Sequence, residues 1–518
     1  MRSVRMRVLA TLLVLGVVAV GGWQLLPSQE DAGKTITVGT TDAVTSLDPA
    51  GAYDAGSWAL FSNVFQSLLT FEPGTVAPVP DAAESCKFTG GDLVTYRCEL
   101  RKGLTFPSGR EMTAEDVKYS FDRVKKIKSD VGPSSLLDTL KSVSAKDLTV
   151  TFRLSSPDAT FPFKVATGAG AIVDRTKYPA NSLRTDNGVD GTGPYELTAY
   201  TKEKKAVLAP NGNYEGAEKD TGRPIELRYY ATPEKLDSAW KAKQVDVATR
   251  QLPPKILAGL NASDPGQRLS EADSAETRNL YLNTRADTPL HDVRVRQAMA
   301  WLISREQLVA SVYEGTQDPL YSLIPTGITG HTTSFFDAYP EPNAKKARAL
   351  LEEAGVTLPV SFTYGYAEGR GAAGAEAKEL KRQLEAGGLF KVTLKGYEWS
   401  DFQQRWATGK LDAYAVGWVA DYPDPDTFGA PLVGTDGTMN TGYSSTEVDR
   451  LIQASQQYAD RGEADQDFRD LQAAIARDVP VIPLTQAKEY VVASEDVGGG
   501  QYLSDGTGVF RLWRLNRI

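Results

Sequence analysis

Ala413-Tyr-Ala-Val-Gly-Trp-Val-Ala-Asp421-Tyr-Pro-Asp-Pro-Asp-Thr-Phe428 runs from an apolar strand into three acids interleaved with aromatics and two prolines. Pro423 and Pro425 fix their own φ and restrict the residues before them, so the loop is stiff. A stiff loop that holds a carboxylate between aromatic faces suits a primary ammonium. Asp421 supplies charge-assisted hydrogen bonds, and the rings of Trp418 and Tyr422 exclude water. The same residues also read as a solvated, proline-rich surface loop with Trp418 in the core. Trp399 and Trp406 precede the strand, and Tyr281 and Asn283 end another. Such side chains line a cleft or pack a core, and their residue types alone do not separate the two.

Outward from this stretch the chain alternates between two periodicities. Period-two runs predict strands at 35–40, 148–154, 195–197, 225–229, 280–283, 360–364, 391–395 and 413–418. Helical spacing covers 56–69, 233–243, 292–303, 343–353, 375–385, 446–458 and 463–477. Thr113-Ala-Glu-Asp116 resembles a capping box ahead of Val117, Ser120, Phe121 and Val124. The alternation defines a mixed α/β protein. With 518 residues, two to four folding units are expected. Gly191-Thr-Gly-Pro-Tyr195 marks either a crossing between units or a tight turn.

The ends and the composition bound the compartment and the partners. Arg2, Arg5 and Arg7 precede a charge-free run from Val8 to Leu26, the pattern of an export signal. The run is of borderline length for a span, so residues 1–30 read as a cleaved signal or as a retained membrane anchor. The expected location is the outer face of the cytoplasmic membrane, or the periplasm or medium after cleavage. No Cys stands near its end, which excludes an ordinary lipoprotein anchor. The net charge of −9 argues against nucleic acid. Cys86 and Cys98 flank the turn signal Gly90-Gly91-Asp92, as if on facing strands of one hairpin, and a disulfide is expected in an oxidising compartment.

Catalytic patterns are missing. His291 and His331 stand 40 residues apart without a metal-binding spacing, Gly191-Thr-Gly193 lacks the third glycine of a dinucleotide fingerprint, and Gly33-Lys34-Thr35 lacks the upstream glycine of a P-loop. There is no Gly-x-Ser-x-Gly elbow. No catalytic residue, metal or cofactor is expected, and binding rather than catalysis is the predicted act.

Several long motifs in one order resemble the extracellular solute-binding proteins of peptide ABC importers, the dipeptide- and oligopeptide-binding family (bacterial solute-binding family 5). They are Leu47-Asp48-Pro49, Leu100-Arg-Lys-Gly-Leu-Thr-Phe-Pro-Ser-Gly-Arg-Glu-Met-Thr-Ala-Glu-Asp-Val117, Gly191-Thr-Gly-Pro-Tyr195, Asp292-Val-Arg-Val-Arg-Gln-Ala298, Gly417 to Pro425 and Val479-Pro-Val-Ile-Pro-Leu484. The resemblance implies a two-lobed, type II periplasmic-binding-protein-like fold. Residues 34–75, 190–280 and 483–518 form a discontinuous lobe I, 76–189 an added subdomain and 281–482 lobe II. Hinges are expected near Leu280 and Pro483.

It also implies that Asp421 pairs with a peptide's α-ammonium, that Trp399 lines the pocket and that Trp418 is the aromatic before the acidic loop. The partners it implies are a peptide or other small solute and the permease subunits of an importer, with the chain itself a monomer. Two departures stand out. Ala413-Tyr-Ala-Val416 lacks the basic residue that some members place there to meet a peptide's C-terminus. Asp42-Ala-Val-Thr-Ser46 lacks an acid found in others. Alternatives on the same fold are a sugar or metal chelate as ligand, or a membrane-tethered sensor or enzyme.

Overall fold

In the computed structural model, the described residues are 34–518 apart from 219–221, 251, 505 and 508. The expected export segment, 1–30, lies outside them. No helix among the described residues is long and apolar enough to cross a membrane.

The backbone of the fold is an eleven-stranded mixed sheet among the described residues. On one side, Ile36–Thr40 lies parallel to both Ile225–Tyr229 and Val247–Thr249, and Lys205–Pro210 and Tyr195–Thr201 extend that edge antiparallel. On the other side, Val360–Ala367 lies parallel to both Phe390–Tyr397 and Ala413–Trp418. Between the halves run two long antiparallel strands, Gln267–Leu282 and Val481–Ser494. Together they join the two halves, because the outer end of Val481–Ser494 pairs with Val247–Thr249 and the inner end of Gln267–Leu282 pairs with Ala413–Trp418. Helices cover the sheet faces through apolar stripes. In Ala373–Glu385, for example, Ala377, Leu380 and Leu384 are buried.

Sequence periodicity locates most of these elements but not the crossing strands. At the hinges expected near Leu280 and Pro483 the two strands still run side by side, and their pairing is first interrupted a few residues toward the outer end, around 273–277 and 486–488. Leu280 is already paired with Ile482 inside the second half of the sheet. Between the pairs Asp273–Lys488 and Thr277–Gln486 the first strand carries two extra residues, and a second irregularity follows at Arg278 and Asn279. Pro483, which has no N–H to offer a ladder, falls at that second break. The helix expected over 56–69 also stops early, at Val64. Gly191 and Gly193 pack on its last turn, where a Cβ would come within 2.2 Å of Val64 O and 2.5 Å of Val64 C. Close backbone approach is therefore what Gly191-Thr-Gly-Pro-Tyr195 is for.

A separate four-stranded sheet lies within 83–154. Cys86 and Cys98 face each other in register across its first hairpin and are joined as a disulfide. The subdomain is fastened to lobe I by a buried pair, in which Arg123 Nη1 and Nη2 donate to the two oxygens of Asp48 at 3.0 and 2.7 Å. Asp48 also accepts from the Arg184 amide at 2.7 Å, so Leu47-Asp48-Pro49 is a structural motif. The segment 100–117 is likewise architectural. Asp116 accepts from the Thr113 amide at 3.0 Å, closing the capping box, and shares Arg110 with Asp174.

Candidate functional site

Where Ala413–Trp418 ends, the chain enters the acidic loop, and its three carboxylates meet different fates. Asp424 accepts from Arg461 Nε and Nη2 at 2.7 and 3.0 Å and caps the short turn Pro425–Phe428. Asp426 accepts from Tyr422 Oη at 2.8 Å and Gln456 Nε2 at 3.0 Å, and lies 4.0 Å from Lys164 Nζ. Asp421 has no cation. Its Oδ2 accepts from Tyr53 Oη at 2.5 Å and from Thr427 Oγ1 at 3.3 Å, and its amide donates to Thr427 Oγ1 at 3.0 Å. The side chain is only 5% exposed. Burial pushes its pKa up to about 7, the two hydroxyl donors act against that rise, and Asp426 adds to it.

This carboxylate lines a cavity of about 230 Å³ between the lobes. Trp418, Trp399 and Trp406 line it with Asp421. Trp418 stands edge-on to Tyr53 with ring centroids 5.5 Å apart, and its indole N–H is buried without an acceptor. Trp399 opens the helix Trp399–Ala407, which Glu398 caps. Two turns later Trp406 stacks on Tyr414 at 6.0 Å and 8°. Helical spacing thus carries both indoles to one wall.

Three residues expected at the site lie elsewhere. Tyr281 is fully buried, stacks on Tyr414 at 5.3 Å and is not among the residues that line the cavity. Asn283 is consumed by backbone, donating to Gly409 O at 3.2 Å and Leu411 O at 3.0 Å. Tyr422 points into the core, with its hydroxyl on Asp426 and its ring 5.8 Å from Phe163. The chain bends at Asp421 and Tyr422, and the first side chain meets the cavity while the second enters the core.

Two lining residues carried no signal of their own in the sequence. Tyr53 reaches Asp421 from the opposite lobe, 368 positions away. Arg370 enters from the turn after Val360–Ala367. Its guanidinium lies 4.9 Å above the Trp399 ring, and Nη1 donates to Thr41 O at 2.6 Å across the cleft. Desolvation draws its pKa down, yet it stays a cation. A base thus reaches the cavity from an element other than Ala413–Val416. A cavity with an unpaired carboxylate, a guanidinium and three indoles can hold a small zwitterion. Among the described residues no cluster of three metal-binding side chains occurs.

Comparison with known proteins agrees with this geometry. The profile described as bacterial extracellular solute-binding proteins, family 5 (middle), matches residues 77–440. Di/tripeptide-binding protein 2 of Pseudomonas aeruginosa is 25% identical, over 94% of this chain and 95% of its own. The periplasmic binding protein DppA of Helicobacter pylori, solved with the peptide STSA, superposes with a TM-score of 0.83 at 22% identity, over 94% of this chain and 99% of that one. AgaA from A. tumefaciens R10, solved with agropinic acid, also gives 0.83, at 19% identity over 93% and 96%. At these identities the two structures testify to a shared two-lobed fold.

Proposed function

The chain belongs to the bacterial extracellular solute-binding proteins of family 5, and from that premise we propose that it captures short peptides by their free amino end and delivers them to the membrane subunits of an ABC importer. The observation that carries this is Asp421, the one carboxylate of its loop without a cation, buried at the wall of the interlobe cavity. A buried lone carboxylate is costly, and an incoming ammonium removes that cost. Arg370, over the Trp399 ring, is the partner for a ligand carboxylate. The remaining indole surface offers apolar contact that accepts many side chains. Names of relatives such as di/tripeptide-binding protein 2 support a short peptide.

In this reading residues 34–75 and 190–280 with the C-terminal segment from 483 move as one lobe carrying 76–189, and 281–482 moves as the other. Ligand contacts on both lobes favour the shut form, which the permease then recognises. Only a ligand that binds the shut form more tightly shifts that balance. The protein acts outside the cytoplasm as a monomer and performs no chemistry on its cargo.

The test is a melting-temperature screen of the exported protein with dipeptides, tripeptides, N-acetylated versions of the same peptides, oligosaccharides and metal chelates. A ligand present at about a hundred times its Kd adds about 2.7 kcal/mol to the folded form. Free-amine peptides are expected to raise the melting temperature and acetylated ones to leave it unchanged. Equal shifts from both would remove Asp421 from ligand recognition. The size of the cavity favours a second reading, a single amino-acid-like solute with an ammonium, since about 230 Å³ falls below the roughly 300 Å³ of the smallest usual ligand pockets. Free amino acids and their conjugates in the same screen decide between the two.

A further inference from the structure

Lys164 lies outside the cavity, on the short helix Phe161–Val165 of the subdomain, yet it is almost completely buried against the far lobe. Its Nζ donates to Asp158 Oδ2 at 2.9 Å and stands 4.0 Å from Asp426 Oδ2. Hydroxyls complete the cluster. Thr160 Oγ1 donates to Asp158 Oδ1 at 2.6 Å and reaches Asp426 Oδ2 at 3.3 Å, and Thr139 Oγ1 donates to Asp158 Oδ2 at 2.7 Å. Beside them the Ala159 amide donates to Gln456 O at 2.7 Å, while Gln456 Nε2 holds Asp426. Asp158, Thr160 and Lys164 come from the subdomain fastened to lobe I, and Asp426 and Gln456 come from lobe II.

We infer that the Asp158–Lys164–Asp426 cluster is a closure latch and that Lys164 is the positioning residue of the Asp421 loop. Three observations carry it. The cluster joins the two lobes at a place no ligand reaches. It is dry, so a charge left behind when the lobes part must be rehydrated or stay unpaired. And it grips the loop five residues beyond Asp421, where Tyr422 Oη also donates to Asp426. The loop is thus held across the cleft at both ends, by Tyr53 on Asp421 and by Lys164 on Asp426.

The cluster also sets the field at Asp421. Lys164 faces Asp158, Asp426 and Asp138. Asp426 faces Lys164, Tyr422, Arg461 and Asp421, and its negative charge favours the protonated form of Asp421. Removing the lysine takes away a cation facing Asp426 and leaves only Arg461, and so moves the protonation of Asp421 to higher pH.

The latch rests on Asp421 being the ammonium grip only in its binding consequences, so the first test uses no ligand. Spin labels placed through Lys146→Cys and Lys410→Cys, with the native cysteines joined, report the separation of the lobes by pulsed electron paramagnetic resonance. In Lys164→Met the long-distance population is expected to grow. Asp158→Asn with Lys164→Met removes the pair without leaving an unpaired charge on Asp158, and serves where the single variant fails to fold. In the second test, dipeptide affinity is titrated between pH 5 and 8. The latch variants are expected to bind roughly tenfold more weakly, in proportion to the smaller shut fraction, and Lys164→Met to shift the pH midpoint upward. A folded Asp158→Asn/Lys164→Met protein with wild-type label distances overturns the latch whatever the ligand. If label distances change while dipeptides fail to bind even the wild type, the latch stands and the peptide reading falls.

Discussion

The buried, cation-free state of Asp421 makes ligand capture depend on pH in a way that can be worked out. With its pKa at about 7 in the empty protein, the carboxyl is neutral below that value and must lose a proton before it can hold an ammonium. Apparent affinity therefore falls about tenfold for each pH unit below 7, reaching roughly a hundredfold, or about 2.7 kcal/mol, at pH 5. On the alkaline side the ligand's own α-amino group, with a pKa of about 7.7–8.0, loses its proton. Binding is thus bell-shaped with its maximum just above pH 7, and isothermal titration of a dipeptide from pH 5 to 9 measures it. Asp421→Asn should abolish the acid limb and cost about 1.5–3 kcal/mol at pH 7.5.

The empty protein gives a second reading of the same group. Its folded-state pKa is raised above the unfolded one, so the folded form binds more protons between about pH 4 and 7. Asp421 therefore makes stability fall as pH rises through that window. Relative to Asp421→Asn, the wild type should lose on the order of 4 kcal/mol by pH 8 from this group, visible in urea melts of the two proteins compared at pH 4.5 and 8. An acid limb that persists unchanged in Asp421→Asn, or a wild type whose stability relative to that variant does not move with pH, would refute the reasoning.

Other outcomes follow from individual contacts. Tyr53→Phe removes the closer of two donors that favour the charged Asp421, so the acid midpoint of binding should move upward in the same titration. Arg370→Met should weaken peptides with a free carboxylate by about 1.5–3 kcal/mol while leaving C-terminally amidated ones unchanged. Replacing both Cys86 and Cys98 by serine should lower stability by about 2–3 kcal/mol in urea melts, from the loop-closure entropy returned to the unfolded chain. Trp406→Ala should cost about 3–5 kcal/mol of stability, because the indole is both buried and stacked on Tyr414.

Sequence periodicity found the elements whose burial alternates simply. Ile36–Thr40, Ile225–Tyr229 and Ala413–Trp418 stand as expected, and so does the helix after Thr113. It missed the outer part of Gln267–Leu282, because that stretch crosses between lobes with both faces partly wet and reads Ser-Glu-Ala-Asp-Ser-Ala-Glu. Its partner was obscured by Pro483, which local rules assign to an edge or a break. At the site, the acidic loop and its indoles were legible because stiff, charged and aromatic residues cluster within one short stretch. Tyr53 and Arg370 were not, since each joins the site only through the tertiary fold and neither sits in a motif of its own. Tyr281, Asn283 and Tyr422 show the converse. A polar or aromatic residue beside a site in sequence is taken up by core packing or by backbone partners instead.

The interrupted ladder between Gln267–Leu282 and Val481–Ser494 limits how the molecule can open. Two strands side by side, with their pairing interrupted at two nearby levels, bend readily about the line joining their weak points. Sliding or twisting one half against the other would break the pairs that continue on both sides. One swing about those strands is the motion this pairing predicts. Tyr53, Arg370 and Asp421 return to register after every cycle because the path back is the path out.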